Sequence, residues 1–391
     1  MTDLDFVGAL HRALDAAPPY ALPTVLSAVL SESVGAKEVA LWLADYGEVT
    51  LERVTADLDP DAKPSLPVDD SAAGRAFLTQ APVVVDDDNG ERLYLPVAVR
   101  AERVGVLELL LPDSSARVRE ELVRAAMVVG YVVSTARRYT DLFERVRRRR
   151  ELILAAEIQW ELLPVLAYEA DELSVAGALE PAHAIAGDSF DYAVEADDVH
   201  VAITDGMGHG LRAALLGTLA VAALRHARRR GHNVLYQVKE ASQVVHDQFG
   251  GDQFVTGTIG TIDMSSGVMR VVNAGHPRPW LAHGDVVEEV ELFADYPLGL
   301  FPGIDYREQE IALEPGDRVL FVSDGVMEAT SPAGEEFGSE RLRALIAETR
   351  DQLPTEVVRR IARAVVDHCQ VPLRDDATVV SVDWRPRLRR R

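Results

Sequence analysis

Four short apolar runs in the second half of the chain each meet an aspartate at one end, and this placement constrains the fold more than any other feature. Gly187-Asp188-Ser189-Phe190-Asp191 opens one run, and Val201-Ala202-Ile203-Thr204 closes on Asp205-Gly206. Val319-Leu320-Phe321-Val322-Ser323 closes on Asp324-Gly325, and Arg374-Asp375-Asp376-Ala377-Thr378 leads directly into Val379-Val380. An Asp-Gly pair after a strand is an ordinary turn, so no single one of these carries an argument. Together they crowd carboxylates at sheet ends, where like charges repel unless cations neutralise them. An all-oxygen donor set suits Mg²⁺ or Mn²⁺ rather than Zn²⁺. Two such ions about 3.5–4 Å apart polarise a phosphoryl group and acidify a water between them. The single cysteine, Cys369, excludes internal disulfides and a multi-cysteine zinc site. It shares an apolar helical face with Val365 and Val366 and reads as core.

Around these aspartates, downstream of Pro164, the pattern predicts strands over 173–179, 189–194, 199–204, 254–262, 268–273, 279–282, 309–313, 318–323 and 378–383. Helices are expected over 211–229, 233–248, 339–348 and 354–369. Grouped strands with helices inserted between them point to two antiparallel sheets flanked by helices, an α+β arrangement.

Upstream, Phe6, Leu10 and Leu14 recur every four residues, and Val25, Leu26, Val29 and Leu30 form a second helical face. Strands follow at 39–43, 49–51, 83–85, 93–99 and 104–111, describing a small domain with an antiparallel meander. The strings Ala73-Gly74-Arg75-Ala76-Phe77, Pro82-Val83-Val84-Val85, Leu95-Pro96 and Val104-Gly105-Val106-Leu107-Glu108 resemble the second half of a GAF sensory domain, over roughly 15–112. No Cys or His cluster marks a haem, metal or bilin site there.

Between the two regions, residues 116–163 lack proline, and apolar residues at Leu122, Ala126, Val129, Val133, Leu142, Val146, Leu152, Ile153, Ala156, Trp160 and Leu163 recur at helical spacing. Two readings fit: a connector that pairs with its copy in a homodimer, or a solvated helix whose arginines (Arg137, Arg138, Arg145, and the run Arg147 to Arg150) keep it soluble. The expected division is a sensory domain at 1–115, a helical connector at 116–164 and a catalytic domain at 165–391.

In order along the chain, Gly187-Asp188 with Asp191, Asp205-Gly206-Met207-Gly208-His209-Gly210, Asn273-Ala274-Gly275-His276-Pro277, Ser323-Asp324-Gly325-Val326-Met327-Glu328 and Asp375-Asp376-Ala377-Thr378 resemble the motifs of the metal-dependent protein serine/threonine phosphatases. The resemblance covers about 150–385 and is closer to the branch typified by the bacterial stage II sporulation protein E. It implies a C-terminal four-layer α-β-β-α sandwich with two Mn²⁺ or Mg²⁺ ions between its sheets. Asp188 and Asp205 would bind or bridge the ions, Gly206 would ligate through its carbonyl, and Asp324 and Asp375 would complete the set, with Asp376 the alternative to Asp375. It implies hydrolysis of phosphoserine or phosphothreonine on a partner, a phosphorylated anti-anti-sigma (STAS) factor, switched by the N-terminal domain; residues 152–163 are the candidate switch element.

One departure concerns the general acid. Eukaryotic members carry histidine directly after the Asp-Gly pair, and this chain has Met207. His209 is either a proton donor or a turn residue capping the helix that starts at Leu211. His276 reads as a positioning residue, Glu328 as a brace for the loop after Asp324, and Asp191 as a group that orients ligand waters. The alternative to an enzyme is a catalytically silent binding protein; its decayed cage would lack ligand aspartates, and none is missing. A small-phosphoester hydrolase would need basic side chains beside the motifs, where only Arg278 and Arg374 stand.

With 40 Lys and Arg against 63 Asp and Glu, the formal charge of −23 repels nucleic acid and anionic lipid. No apolar run reaches the roughly 20 residues of a membrane helix, and the start has no basic signal region. The expectation is a cytoplasmic protein with no nucleic-acid or membrane partner.

Overall fold

The computed structural model describes residues 6–55, 64–148, 152–181, 187–370 and 373–385. Arg149 and Arg150 of the basic run, and the arginine-rich tail from 386, lie outside the described residues. The chain divides into two compact units, 1–151 and 152–391.

The first unit contains helices α1 (Phe6–Ala16) and α2 (Leu22–Val34), strands β1 (Glu38–Ala44), β2 (Thr50–Arg53) and β3 (Ser65–Pro67), helix α3 (Ala72–Thr79), strands β4 (Val83–Asp87), β5 (Gly90–Val99) and β6 (Glu102–Leu111), and helices α4 (Ala116–Ala136) and α5 (Leu142–Arg147). The strands form one antiparallel sheet in the order β3-β2-β1-β6-β5-β4. Alternation along β1 sends Leu41 and Leu43 into a core with α1, α2, α4 and α5, and Ala40, Trp42 and Ala44 to the other face under α3. Ser71 caps α3 by accepting the Gly74 N–H at 2.9 Å. Gly74 lets this helix close on the chain beside it: a Cβ there would lie 1.8 Å from the Val68 carbonyl oxygen.

The segment expected as one long helix is interrupted. α4 stops at Ala136, α5 begins at Leu142, and Arg148 after it is extended (φ −78°, ψ 101°). The apolar stripe of α4, Leu122, Ala126, Val129 and Val133, is packed inside the first unit. A stripe at 3.6-residue spacing is the same whether it faces its own sheet or a partner helix, and here it faces its own sheet. The arginines are likewise engaged: Arg137 bonds Glu144 at 2.5 Å, and Arg147 bonds the Ala44 carbonyl at 3.0 Å while lying over the Tyr46 ring.

The second unit opens with α6 (Leu154–Leu162), β7 (Ala167–Glu169), β8 (Leu173–Glu180), β9 (Asp188–Val194) and β10 (Asp198–Gly206), followed by α7 (Leu211–Arg229) and α8 (Val234–Phe249). Next come β11 (Val255–Asp263), β12 (Val268–Ala274), β13 (Trp280–His283), β14 (Val286–Glu289), β15 (Gln309–Ala312) and β16 (Arg318–Val322). The short α9 (Asp324–Met327), α10 (Gly338–Glu348), α11 (Pro354–Cys369) and β17 (Ala377–Trp384) complete it. Two antiparallel sheets result, β15-β12-β11-β10-β9 and β14-β13-β16-β17-β8-β7. Val201 and Ile203 of β10 meet Val319 and Phe321 of β16 and Val380 and Val382 of β17 in one core between the sheets. Ala202, on the other face of β10, joins Leu216, Ala220 and Leu224 of α7 and Val238 and Ala241 of α8. α11 packs on β17 and β8, burying Cys369 as expected. Strands β7 and β14 and helix α9 are three or four residues long, too short to register as periodicity.

Candidate active site

The antiparallel register of β10 and β9 sets Asp205 directly opposite Asp188. The backbone closes tightly beneath them: the Gly206 N–H bonds the Gly187 carbonyl at 2.9 Å, and a Cβ on Gly187 would lie 2.5 Å from the Gly206 oxygen and 2.9 Å from Asp205 Oδ1. Only glycine at 187 lets this turn lie against Asp205.

The second sheet brings the remaining aspartates to the same end. Asp324 begins α9 directly after β16, and Asp375 and Asp376 directly precede β17. Ser323 and Thr378 lock these two ends together: the Ser323 N–H bonds the Thr378 carbonyl, and the Thr378 N–H bonds Ser323 Oγ, both at 3.0 Å. A Cβ on Gly325 would strike the Asp376 carbonyl oxygen at 2.0 Å, so the approach of α9 depends on glycine. One bond then crosses between the sheets, as Thr378 Oγ1 donates to Asp188 Oδ2 at 2.7 Å.

Electrostatically the aspartates form one group. Burial, with the charges of Asp205 and Asp376, pushes the Asp188 carboxyl well above the usual range. Burial and the charges of Asp324, Asp375 and Asp376 raise Asp205 to about 7. Asp375 rises to about 6, through desolvation and then the charges of Asp324, Asp376 and Glu328 against a bond from the Asp376 N–H. Among the described residues no three His, Cys, Asp or Glu side chains are gathered closely enough to grip an ion as they stand; the carboxylates share a field without closing on one point. The donor set nevertheless fits hard divalent cations, being all carboxylate, mutually destabilised when ionised, and drawn from both sheets.

The adjacent pair Asp375 and Asp376 is split by its environment. Asp376 is 1 % exposed, and its Oδ2 accepts from Gln159 Nε2 at 2.7 Å and from the Gly187 N–H at 3.2 Å, whereas Asp375 is exposed. Gln159 belongs to α6, lies buried beside Ala155 and Ala156, and also donates to the Asp188 carbonyl at 2.7 Å. Neither Gln159 nor the Ser323–Thr378 lock was among the residues expected from sequence. The signal for Gln159 is a lone amide on the otherwise apolar buried face of a helix.

Asp191 departs from expectation. It lies three residues from Asp188, on the opposite face of β9, and binds Arg225 of α7 at 2.8 and 3.0 Å and Arg228 at 2.7 Å. Its carboxylate is engaged in fastening a helix. His276, expected as a positioning residue, is 5 % exposed, meets Thr256 Oγ1 at 3.0 Å, and has its backbone held at both ends by the Asn273 amide. Burial lowers its imidazole to about 3, so it stays neutral. His209 is exposed between Gly208 and Gly210, both at positive φ. The Glu328 N–H closes α9 on the Asp324 carbonyl at 2.8 Å, while its side chain is exposed.

Residues 195–385 match the family model Stage II sporulation protein E (SpoIIE). Over that stretch the chain is similar to a SpoIIE-type domain. Protein IcfG of Synechocystis sp. is 24 % identical over 263 residues, covering 60 % of this chain and 41 % of that protein. Phosphoserine phosphatase RsbU of Bacillus subtilis is 24 % identical over 255 residues, covering 65 % of this chain and 76 % of RsbU. The chain therefore spans less than half the length of IcfG. Among solved structures, the SiaA-PP2C domain of Pseudomonas aeruginosa aligns with a TM-score of 0.51 at 22 % identity, covering 59 % of this chain and 94 % of that one. This likeness gives the SpoIIE-type domain a PP2C-like α+β fold. Among the described residues, no helix is long and apolar enough to cross a membrane.

Proposed function

We propose that the chain is a metal-dependent protein phosphatase that hydrolyses phosphoserine or phosphothreonine on a partner protein. The observation that carries this reading is the set of aspartates from two sheets, each raising the pKa of its neighbours. Asp188, Asp205, Asp324, Asp375 and the Gly206 carbonyl would hold two Mn²⁺ or Mg²⁺ ions. Bound there, the ions would supply the Lewis acidity that polarises a phosphoryl oxygen and acidifies a water. Asp375 rather than Asp376 is assigned because the Asp376 carboxylate is already committed to Gln159 and Gly187. Thr378 holds Asp188 in place, and Gln159 holds the backbone that carries it. His276, neutral and bonded to Thr256, positions the neighbouring loop and donates no proton.

In this reading the two sheets and their helices make a four-layer α-β-β-α sandwich over 165–391. Residues 1–115 act as a GAF-like sensor, the helices over 116–164 connect the two parts, and the protein is a cytoplasmic homodimer. The printed name of RsbU, a phosphoserine phosphatase, supports a phosphorylated protein as substrate, and an anti-anti-sigma factor is the candidate. α6 is the candidate switch, because Gln159 ties it to Asp376.

Hydrolysis of p-nitrophenyl phosphate by the full chain with Mn²⁺, Mg²⁺ or EDTA tests the reading. Turnover that requires the metal and disappears in Asp205→Asn is expected. Silence in every condition, including after removal of residues before 152, overturns it in favour of a binding protein.

A further inference from the structure

Beside the carboxylates several large apolar side chains are exposed, next to the polar His209 and Arg212. α7 packs its Ala213, Ala214, Leu216 and Gly217 inward and comes so close to the site that a Cβ on Gly206 would lie 3.0 Å from the Ala213 carbonyl oxygen. Its opposite side carries Leu211 and Leu215, 44 % and 50 % exposed. Four residues apart, they make one stripe that starts at the site. Met207, one residue beyond Gly206, is 43 % exposed and extends the stripe toward the aspartates. On its flank α6 packs on α7 through Ala155 and Ala214, and Ile153 and Leu154 at the start of α6 are exposed as well. Large apolar side chains left in water on adjoining helices mark a binding surface more often than an accident.

We propose that this stripe docks the segment bearing the phosphorylated residue, and that the segment presents apolar side chains to Leu211 and Leu215. The proposal rests on the phosphatase reading above and names the substrate class of that site. Two observations select this occupant. The stripe begins five residues after Gly206, with the exposed Met207 between them, so a chain whose phosphate reaches the aspartates from the α7 side runs over it. The charge also selects: with a formal charge of −23 and the aspartates of the site adjoining, acidic flanks are repelled, and apolar flanks gain by covering the leucines.

The test uses the full chain with Mn²⁺ and three substrates: p-nitrophenyl phosphate, a synthetic phosphoserine peptide with leucines flanking the phosphoserine, and the same peptide with glutamines there. The leucine peptide should be cleaved with about 10-fold higher kcat/KM, expressed in KM, the scale of burying one leucine-sized contact. The double variant Leu211→Gln and Leu215→Gln should erase that ratio and leave p-nitrophenyl phosphate turnover unchanged; Leu215→Gln alone should halve it or more and guards against misfolding of the double variant. Equal rates on the two peptides, or a preference that survives in both variants, overturns the docking proposal while the phosphatase reading stands. A change in the molar mass of the variants by light scattering, with the preference kept, assigns the stripe to contact between copies and also overturns it. Absence of metal-dependent p-nitrophenyl phosphate turnover in the unmodified chain defeats the phosphatase reading, and the proposal with it.

Discussion

The two units treat clustered carboxylates in opposite ways. In the first, Arg92 stands among Glu108, Asp87 and Glu38 at 2.6, 3.0 and 3.1 Å, and Glu108 also receives Trp42 Nε1 at 2.6 Å. Asp87 there is held below its usual pKa by the Asn89 N–H and then by Arg92. In the second, Asp188, Asp205 and Asp375 sit among other aspartates and are all pushed up. Within that same unit Asp191 follows the first pattern, between Arg225 and Arg228. Carboxylates that bring their own guanidinium are scaffold. In the proposed reading, those whose neighbours are other carboxylates would receive a cation from outside.

The largest effect should come from removing one member of the cation-seeking group. Asp205→Asn should lower metal-dependent turnover of p-nitrophenyl phosphate on the order of 10³-fold, because it disrupts ion placement in the group; residual activity within tenfold of the unmodified chain would break the contrast between the clusters. Arg92→Met tests the other side. Leaving the buried Glu108 without its guanidinium, with Trp42 Nε1 still donating to it, should cost about 2–3 kcal/mol in urea unfolding of the first unit, discounted for the partial exposure of Arg92, with turnover per folded molecule unchanged.

Gln159→Leu sharpens the comparison, since it removes a donor that supports the aspartates without touching their charge. Calorimetric titration should find Mn²⁺ bound about 10-fold more weakly; unaltered affinity would reduce Gln159 to packing. The smallest effect is on pH dependence. Asp205 has an ordinary value of 3.8 and a folded value of about 7, so the folded state binds the extra proton. Its contribution to stability is complete below about pH 4 and is lost as pH rises through 7. In EDTA the melting temperature of the second unit should therefore fall by at least about 5 °C between pH 5 and 8, and saturating Mn²⁺ should flatten the slope. A melting temperature that rises over that interval would contradict the raised carboxyls.

Much of the second unit was legible in advance. The helices at α7 and α11 begin and end where their apolar spacing and terminal signals place them, Gly210 before one and Pro354 opening the other. The strands beside Asp205, Asp324 and Asp375 read as short continuous apolar runs, because β10 has a core on each face and every residue of β16 and β17 is buried. The helix after Ala116 was legible as a helix but not as three pieces, since neither proline nor glycine marks the breaks at Arg137 and Arg148; bonds from Arg137 and Arg147 to distant groups hold the chain there.

The sequence by itself determined which residue types stand at strand ends and in what order, because strand alternation and turn preference are local. Local pattern alone put Asp188 and Asp191 in one motif and Asp375 beside Asp376, and only the resemblance gave them different roles. Only the tertiary structure gave them different surroundings: β9 turns Asp191 toward two arginines of α7, and α6 delivers Gln159 to Asp376 from 217 positions away. A carboxylate's role depends on which charges and donors surround it, and those neighbours are brought by packing from parts of the chain that no local pattern connects.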